Sequence, residues 1–123
     1  MRLNQVTVGC LDYEASCEFY QALGLKLIVD APPRYARFET SSGETFSIHL
    51  MDDVTSTTIV YFECDDLDAR VDALIGRGLM FDRSPRDESW LWREARLIDP
   101  AGNEICLYHA GENRRFPPWR IRP

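Results

Sequence analysis

Residues 3–27, "LNQVTVGCLDYEASCEFYQALGLKL", and residues 57–81, "TTIVYFECDDLDARVDALIGRGLMF", are two copies of one pattern at a constant offset of 54 with no gap. Val6 meets Val60, Cys10 meets Cys64, Asp12 meets Asp66, Ala15 meets Ala69, Gly24 meets Gly78 and Leu25 meets Leu79. The matches fall where local structure needs them. Asp12 and Asp66 stand where a helix N-cap accepts a hydrogen bond from the first turn. Gly24 and Gly78 stand where a helix ends in a left-handed residue. Such a repeat means that one supersecondary unit is used twice, which removes most alternative folds at once.

Each copy continues alike. "VTV" and "IVYF" have the β-branched and aromatic content of strands. After the first helix, strands are expected at Leu25–Asp30, Tyr35–Thr40 and Thr45–Leu50, with "PP" and "SSGE" as turns. After the second they are expected at Leu79–Asp82, Leu91–Ile98 and Glu104–Tyr108, with "DPAGN" as the last turn. The reading is an α+β domain, residues 1–110, of two tandem βαβββ units (1–52 and 57–110) forming a curved mixed β-sheet cleft. Residues 111–123 form a separate C-terminal tail.

Composition narrows the function classes. A net charge of −6 and a pI near 4.8 argue against a nucleic-acid partner. No apolar run approaches the roughly 20 residues of a membrane span, and "MRLNQVTV" has no signal-peptide pattern, so a cytoplasmic location is expected. Cys10, Cys17, Cys64 and Cys106 show no CxxC spacing and read as buried thiols rather than disulfides. The tail is the exception to the acidic balance: "RRFPPWRIR", 114–122, has four arginines and no acid. Phe116 and Trp119 beside Pro117 and Pro118 suggest that it docks, on the chain's own acidic surface or on a partner subunit.

The strand period of two sorts the side chains. Val6, Val8, Cys10, Phe46, Ile48, Leu50, Val60, Phe62, Cys64, Ile105 and Leu107 read as core-facing. The opposite, concave face then receives Gln5, Ser47, His49, Tyr61, Glu63, Glu104, Cys106 and Tyr108. Trp90, Trp92, Glu94 and Arg96 share one face of a second-unit strand, and aromatic walls with a few polar groups suit a small molecule. His49 with Glu63 or Glu104 has the makings of a general base, and Cys106 of a nucleophile with His49 as its base. Arg34 and Arg37 suit an anionic group but read more simply as surface charges.

A paired βαβββ unit with "DPAGNEICLYH" near its end and "CDDLDARVDALIGRG" before it resembles the vicinal oxygen chelate superfamily, over roughly Leu3 to His109. Its members include glyoxalase I, bleomycin-resistance proteins, extradiol dioxygenases and fosfomycin-modifying enzymes. The resemblance carries the four ligand positions of the metal-dependent members onto Gln5, His49, Ile59 and Cys106. Ile59 has no donor atom, and a thiolate at Cys106 suits zinc rather than an octahedral ion. The expectation is therefore a protein without a cofactor that binds a planar or aromatic ligand in its cleft, similar to the bleomycin-resistance group. Contacts would come from Gln5, His49, Tyr61, Trp92, Glu104 and Tyr108. The alternative is a glyoxalase-like lyase, isomerase or dioxygenase with a divalent metal at Gln5, His49 and Cys106, in which His49, Glu63 and Cys106 would be catalytic. The resemblance also implies a homodimer, with the tail as an arm reaching across.

Overall fold

The computed structural model describes residues 1–55 and 57–122; Pro123, the last residue of the expected tail, lies outside them. The first unit runs β1 (Gln5–Cys10), α1 (Tyr13–Leu23), β2 (Lys26–Ala31), β3 (Tyr35–Glu39) and β4 (Thr45–Leu50). The second runs β5 (Ile59–Glu63), α2 (Leu67–Gly76), β6 (Arg83–Asp87), β7 (Arg93–Ile98) and β8 (Glu104–His109), followed by a 3-10 turn at Gly111–Arg114. The α+β class and the doubled βαβββ order are those the repeat predicts. Each unit has its own four-stranded mixed sheet, ordered β1-β4-β3-β2 and β5-β8-β7-β6, with the first and last strands of each unit parallel.

The helices start and stop for the same local reasons in both copies. Asp12 and Asp66 accept from the backbone N–H groups of Ala15 and Ala69, each at 3.1 Å. At the far ends Gly24 and Gly78 take φ of 117° and 94°, where a Cβ would be strained. This lets Leu25 N–H reach Tyr20 O at 3.0 Å and Leu79 N–H reach Leu74 O at 3.1 Å, closing both helices in the same way.

The repeat changes offset once. Gln5 pairs with Thr45 and Ile59 with Glu104, so β4 and β8 correspond at an offset of 59 although β1 and β5 correspond at 54. The turns before them agree. Thr40 N–H donates to Glu44 O at 2.9 Å, and Asp99 N–H to Asn103 O at 2.9 Å. Five residues are therefore inserted between α2 and β7, and they displace the sixth strand from the expected Leu79–Asp82 to Arg83–Asp87. "RSPRD" has no β-branched residue and contains Pro85; β6 tolerates this because it is the sheet's edge. The next strand begins at Arg93 rather than Leu91, because Leu91 has φ of 69° and breaks the extended run.

In the first unit Val8, Cys10, Tyr20, Phe38, Phe46 and Ile48 are buried, with the Tyr20 ring 4.5 Å from Phe46 and 5.9 Å from Phe38. In the second, Val60, Leu67, Val71, Leu74, Ala95, Leu97, Ile105 and Leu107 do the same work. Ile75, in the last turn of α2, is exposed. All four cysteines are free; Cys10, Cys17 and Cys106 are buried and Cys64 is half-buried.

The β7–β8 turn, 98–103, belongs with the first compact unit. Buried Asp99 holds it there: one carboxylate oxygen accepts from the Ala101 and Asn103 N–H groups at 2.9 Å, the other from Tyr20 Oη and Asn103 Nδ2. Asn103 Nδ2 also donates to Gly9 O at 2.8 Å. The "DPAGN" motif is thus a buried polar knot with every partner satisfied. No helix among the described residues is long and apolar enough to cross a membrane.

Candidate functional site

Phe38 and Phe46 meet α1, so the opposite face of the first sheet carries Gln5, Thr7, Tyr35, Arg37, Ser47 and His49. Arg37 Nε donates to the Tyr35 phenol oxygen at 2.8 Å, and Thr7 and Ser47 share a 2.6 Å hydroxyl contact. Gln5 accepts from Thr45 Oγ1 at 2.8 Å. Burial by itself would push the Tyr35 phenol up. Hydrogen bonds from Ser47, Arg37 and Gln5, with the charge of Arg37, outweigh it and bring the phenol below its ordinary value. His49 lies beside Tyr35 in register, is exposed, and has no hydrogen bond or ion pair among the described residues.

The equivalent face of the second sheet is built differently. Trp92 stacks on Tyr108 with ring centroids 4.5 Å apart and planes 16° apart, while Tyr61 stands edge-on to both at 6.0 and 5.8 Å. The Arg96 guanidinium lies 5.7 Å from the Tyr61 ring centroid and bonds Glu94 and Glu104, each at 2.9 Å. Burial opposes the Arg96 cation, but its hydrogen bonds to Glu94 and Glu104 and the charge of Glu94 hold its pKa above the usual range. Glu94 is buried and also accepts from Trp90 Nε1 at 2.6 Å. Tyr61 and Trp90 stay open, at 45% and 41% exposure.

The sequence-predicted residues divide between the two sheets. Gln5 and His49 lie on the first; Tyr61, Glu63, Trp92, Glu104, Cys106 and Tyr108 belong to the second unit. Both carboxylates suggested as partners for His49 are engaged within the second unit. Glu63 accepts from the Ala110 and Gly111 N–H groups at 2.9 and 3.0 Å, and Glu104 bonds Arg96. Glu63 thereby anchors the start of the tail, as does Trp92 Nε1, which donates to Asn113 O at 3.3 Å. Beyond it, Phe116 and Trp119 are more than half exposed, with Arg120 over the Phe116 ring at 4.6 Å.

Cys106 is fully buried, and its thiol donates to Leu107 O at 3.8 Å. Burial first, and then the neighbouring Glu94, push that thiol up to about 12, so it carries no thiolate near neutral pH. A nucleophile at this position needs that thiolate. Ile59 has no donor atom, and the register sets Gln5 opposite Thr45 but His49 opposite Gly9, four residues further along the β1–β4 ladder, so Gln5, His49 and Cys106 do not fit the divalent ion of metal-dependent relatives. No other group of three His, Cys, Asp or Glu side chains among the described residues is arranged to hold one.

Tyr35, Glu94 and Arg96 organise the two faces, and sequence reasoning gave Tyr35 no role. A signal existed: "RYAR" at 34–37 and "REAR" at 93–96 repeat at the offset of 59, which the ungapped offset of 54 hides.

Residues 2–107 match the family model for the Glyoxalase/Bleomycin resistance protein/Dioxygenase superfamily. A search of curated proteins found no match. Among solved structures, a glyoxalase/bleomycin resistance protein/dioxygenase from Nocardioides superposes with a TM-score of 0.78 at 21% identity, over 99% of this chain and 90% of that one. A lactoylglutathione lyase from Agrobacterium tumefaciens gives 0.75 at 13% identity, over 88% and 92%. TioX from Micromonospora sp. ML1 gives 0.72 at 14% identity, over 89% and 99%. At these identities the likeness is one of fold.

Proposed function

This chain belongs to the Glyoxalase/Bleomycin resistance protein/Dioxygenase superfamily, and on that premise we propose that it binds a planar aromatic small molecule without a metal cofactor. The observation that carries the reading is the aromatic platform of the second sheet. Trp92 stacked on buried Tyr108 supports it and Tyr61 forms its edge, with open ring surface on Tyr61 and Trp90. Rings fixed by one another lose little freedom on binding and present flat apolar area, which suits a flat ligand. Arg96 and Glu104 supply polar contacts at the rim.

The test is a tryptophan-fluorescence titration with a panel of flat heteroaromatic compounds, followed by mass spectrometry of the recovered compound. Saturable quenching that Trp92→Leu abolishes, with the compound unchanged, supports binding. A chemically altered compound replaces this reading with an enzymatic one, and an absence of saturable quenching across the panel removes it. The same protein is proposed to be a homodimer in which Phe116 and Trp119 are covered by the second copy. Trp119→Ala lowers the mass in size-exclusion chromatography if that holds, and leaves it unchanged if it does not.

A further inference from the structure

The first sheet carries a second site that the aromatic platform does not use. Arg37 and Arg96 occupy equivalent places, each bonding the side chain two residues before it. In the second unit that side chain is Glu94, and Glu104 adds a second carboxylate, so the Arg96 charge is consumed inside the protein. In the first unit the same two places hold Tyr35 and Thr45, neither of them an acid. Arg37 therefore has no carboxylate partner among the described residues. Its Nε is spent on the Tyr35 oxygen, which fixes the guanidinium plane while both terminal nitrogens keep their N–H groups for a ligand.

The surroundings suit an anion. Thr7 and exposed His49 lie on the same face, and Ser47 sits directly beside Arg37 in the strand register. Glu39, the acid two residues further along β3, lies 4.0 Å from Lys26 and has no ion pair with Arg37. We propose that Arg37, positioned by Tyr35, binds the carboxylate of a small organic acid on the open face of the first sheet. A carboxylate matches the guanidinium fork in shape and charge, and the Thr7 hydroxyl and exposed His49 on the same face add no competing negative charge.

The probe is acetate, with acetamide as its neutral isostere, followed by NMR on the Arg37 Nε–H and Tyr35 Cζ signals of the intact protein at constant ionic strength. Acetate has no ring, so the result is independent of the aromatic platform. The expected result is a saturable shift with acetate and none with acetamide. Arg37→Gln should weaken acetate binding by about tenfold or more, the scale of losing a charge-assisted hydrogen bond, and Arg96→Gln should leave it unchanged. Equal shifts with acetamide, a response to acetate that chloride reproduces, or an equal loss in Arg96→Gln would each overturn the proposal. Arg37→Lys separates charge from shape: it keeps the cation but not the fork, and full retention of affinity would remove the bidentate geometry from the argument. Because Arg37 has no buried partner, its variants are expected to keep the wild-type fold, and the dispersion of the same spectra verifies this for them and for Arg96→Gln.

Discussion

The two sheets start from one pattern and reach opposite electrostatic states. In "RYAR" the second arginine reaches a phenol; in "REAR" it reaches a carboxylate, buried and bonded in turn by Trp90. The turns diverge in the same direction. Thr40, Ser42 and Glu44 of the first β-turn bond one another in the open, whereas Asp99 and Asn103 of the second are buried and bonded to Tyr20 and Gly9. A single backbone plan thus puts its charge-bearing positions to structural use in one copy and leaves them free in the other. Substitutions at equivalent positions should accordingly have unequal consequences.

The largest inequality is expected at the turns. Asp99→Ala removes one carboxylate that satisfies four donors, two of them backbone N–H groups, and leaves the Tyr20 hydroxyl buried without its partner. Loss of about 3–5 kcal/mol of stability is expected, several times the cost of an ordinary hydrogen bond. Thr40→Ala, at the equivalent place, removes solvent-exposed hydroxyl bonds and should cost less than about 1 kcal/mol. Urea unfolding of both variants measures the ratio. Similar losses would mean that the Asp99 knot contributes little beyond its turn.

The arginines come next. Arg96→Gln leaves Glu94 buried beside Trp90 without its cation, a change expected to cost about 2–4 kcal/mol. Arg37→Gln breaks one part-exposed bond to a phenol and should stay within about 0.5–1.5 kcal/mol. Chemical denaturation of the pair, with Glu94→Gln added to Arg96→Gln, sharpens the point: the double variant should recover part of the loss, because the unpaired charge is gone.

How much of this was legible in the sequence depends on which level is asked for. The helix caps at Asp12 and Asp66, the closing glycines and the doubled βαβββ order are local properties, and local chemistry announces them. The alternation of strand residues carried through in β8, placing Ile105 and Leu107 inward and Cys106 and Tyr108 on the other face, but at the end of β4 Leu50, expected in the core, is exposed. The sixth strand was missed because "RSPRD" forms through its position at the sheet's edge, which intrinsic propensity does not report. Tyr35 was missed because its role depends on Arg37, Ser47 and Gln5 converging from three strands, and no single stretch contains that convergence. The same holds for Cys106. Its place on the second sheet follows from strand period, but its inert thiol follows from Glu94 and complete burial.

Cys106 gives a smaller prediction, because the equivalent residue in the first sheet is Ser47. The folded thiol keeps its proton to about 12, while the unfolded chain releases it near the ordinary cysteine value. Between roughly pH 9 and 12 the unfolded state therefore binds fewer protons, and stability falls as pH rises through that window. Cys106→Ser should flatten this alkaline decline, and native Cys106 should resist iodoacetamide at pH 9 in peptide-resolved mass spectrometry. Rapid alkylation of Cys106 in the folded protein would contradict the burial argument.

The smallest effect is the most specific to the comparison. Burial alone would raise the Tyr35 phenol, so its net displacement downward requires the donors around it, above all Ser47 and Arg37. In a Cζ-labelled NMR titration Tyr35 should ionise below the ordinary tyrosine value, whereas Tyr108, buried and near Glu63, should ionise above it. The two tyrosines lie on the last or third strands of sister sheets, so each serves as the other's control. Arg37→Gln should move Tyr35 upward and leave Tyr108 in place, since Arg37 belongs to the first unit's network. A Tyr35 signal that does not respond to Arg37→Gln would mean that Ser47 and Gln5 set the phenol by themselves, and the Arg37–Tyr35 bond would then be a consequence of strand packing, not what holds the guanidinium for an incoming carboxylate.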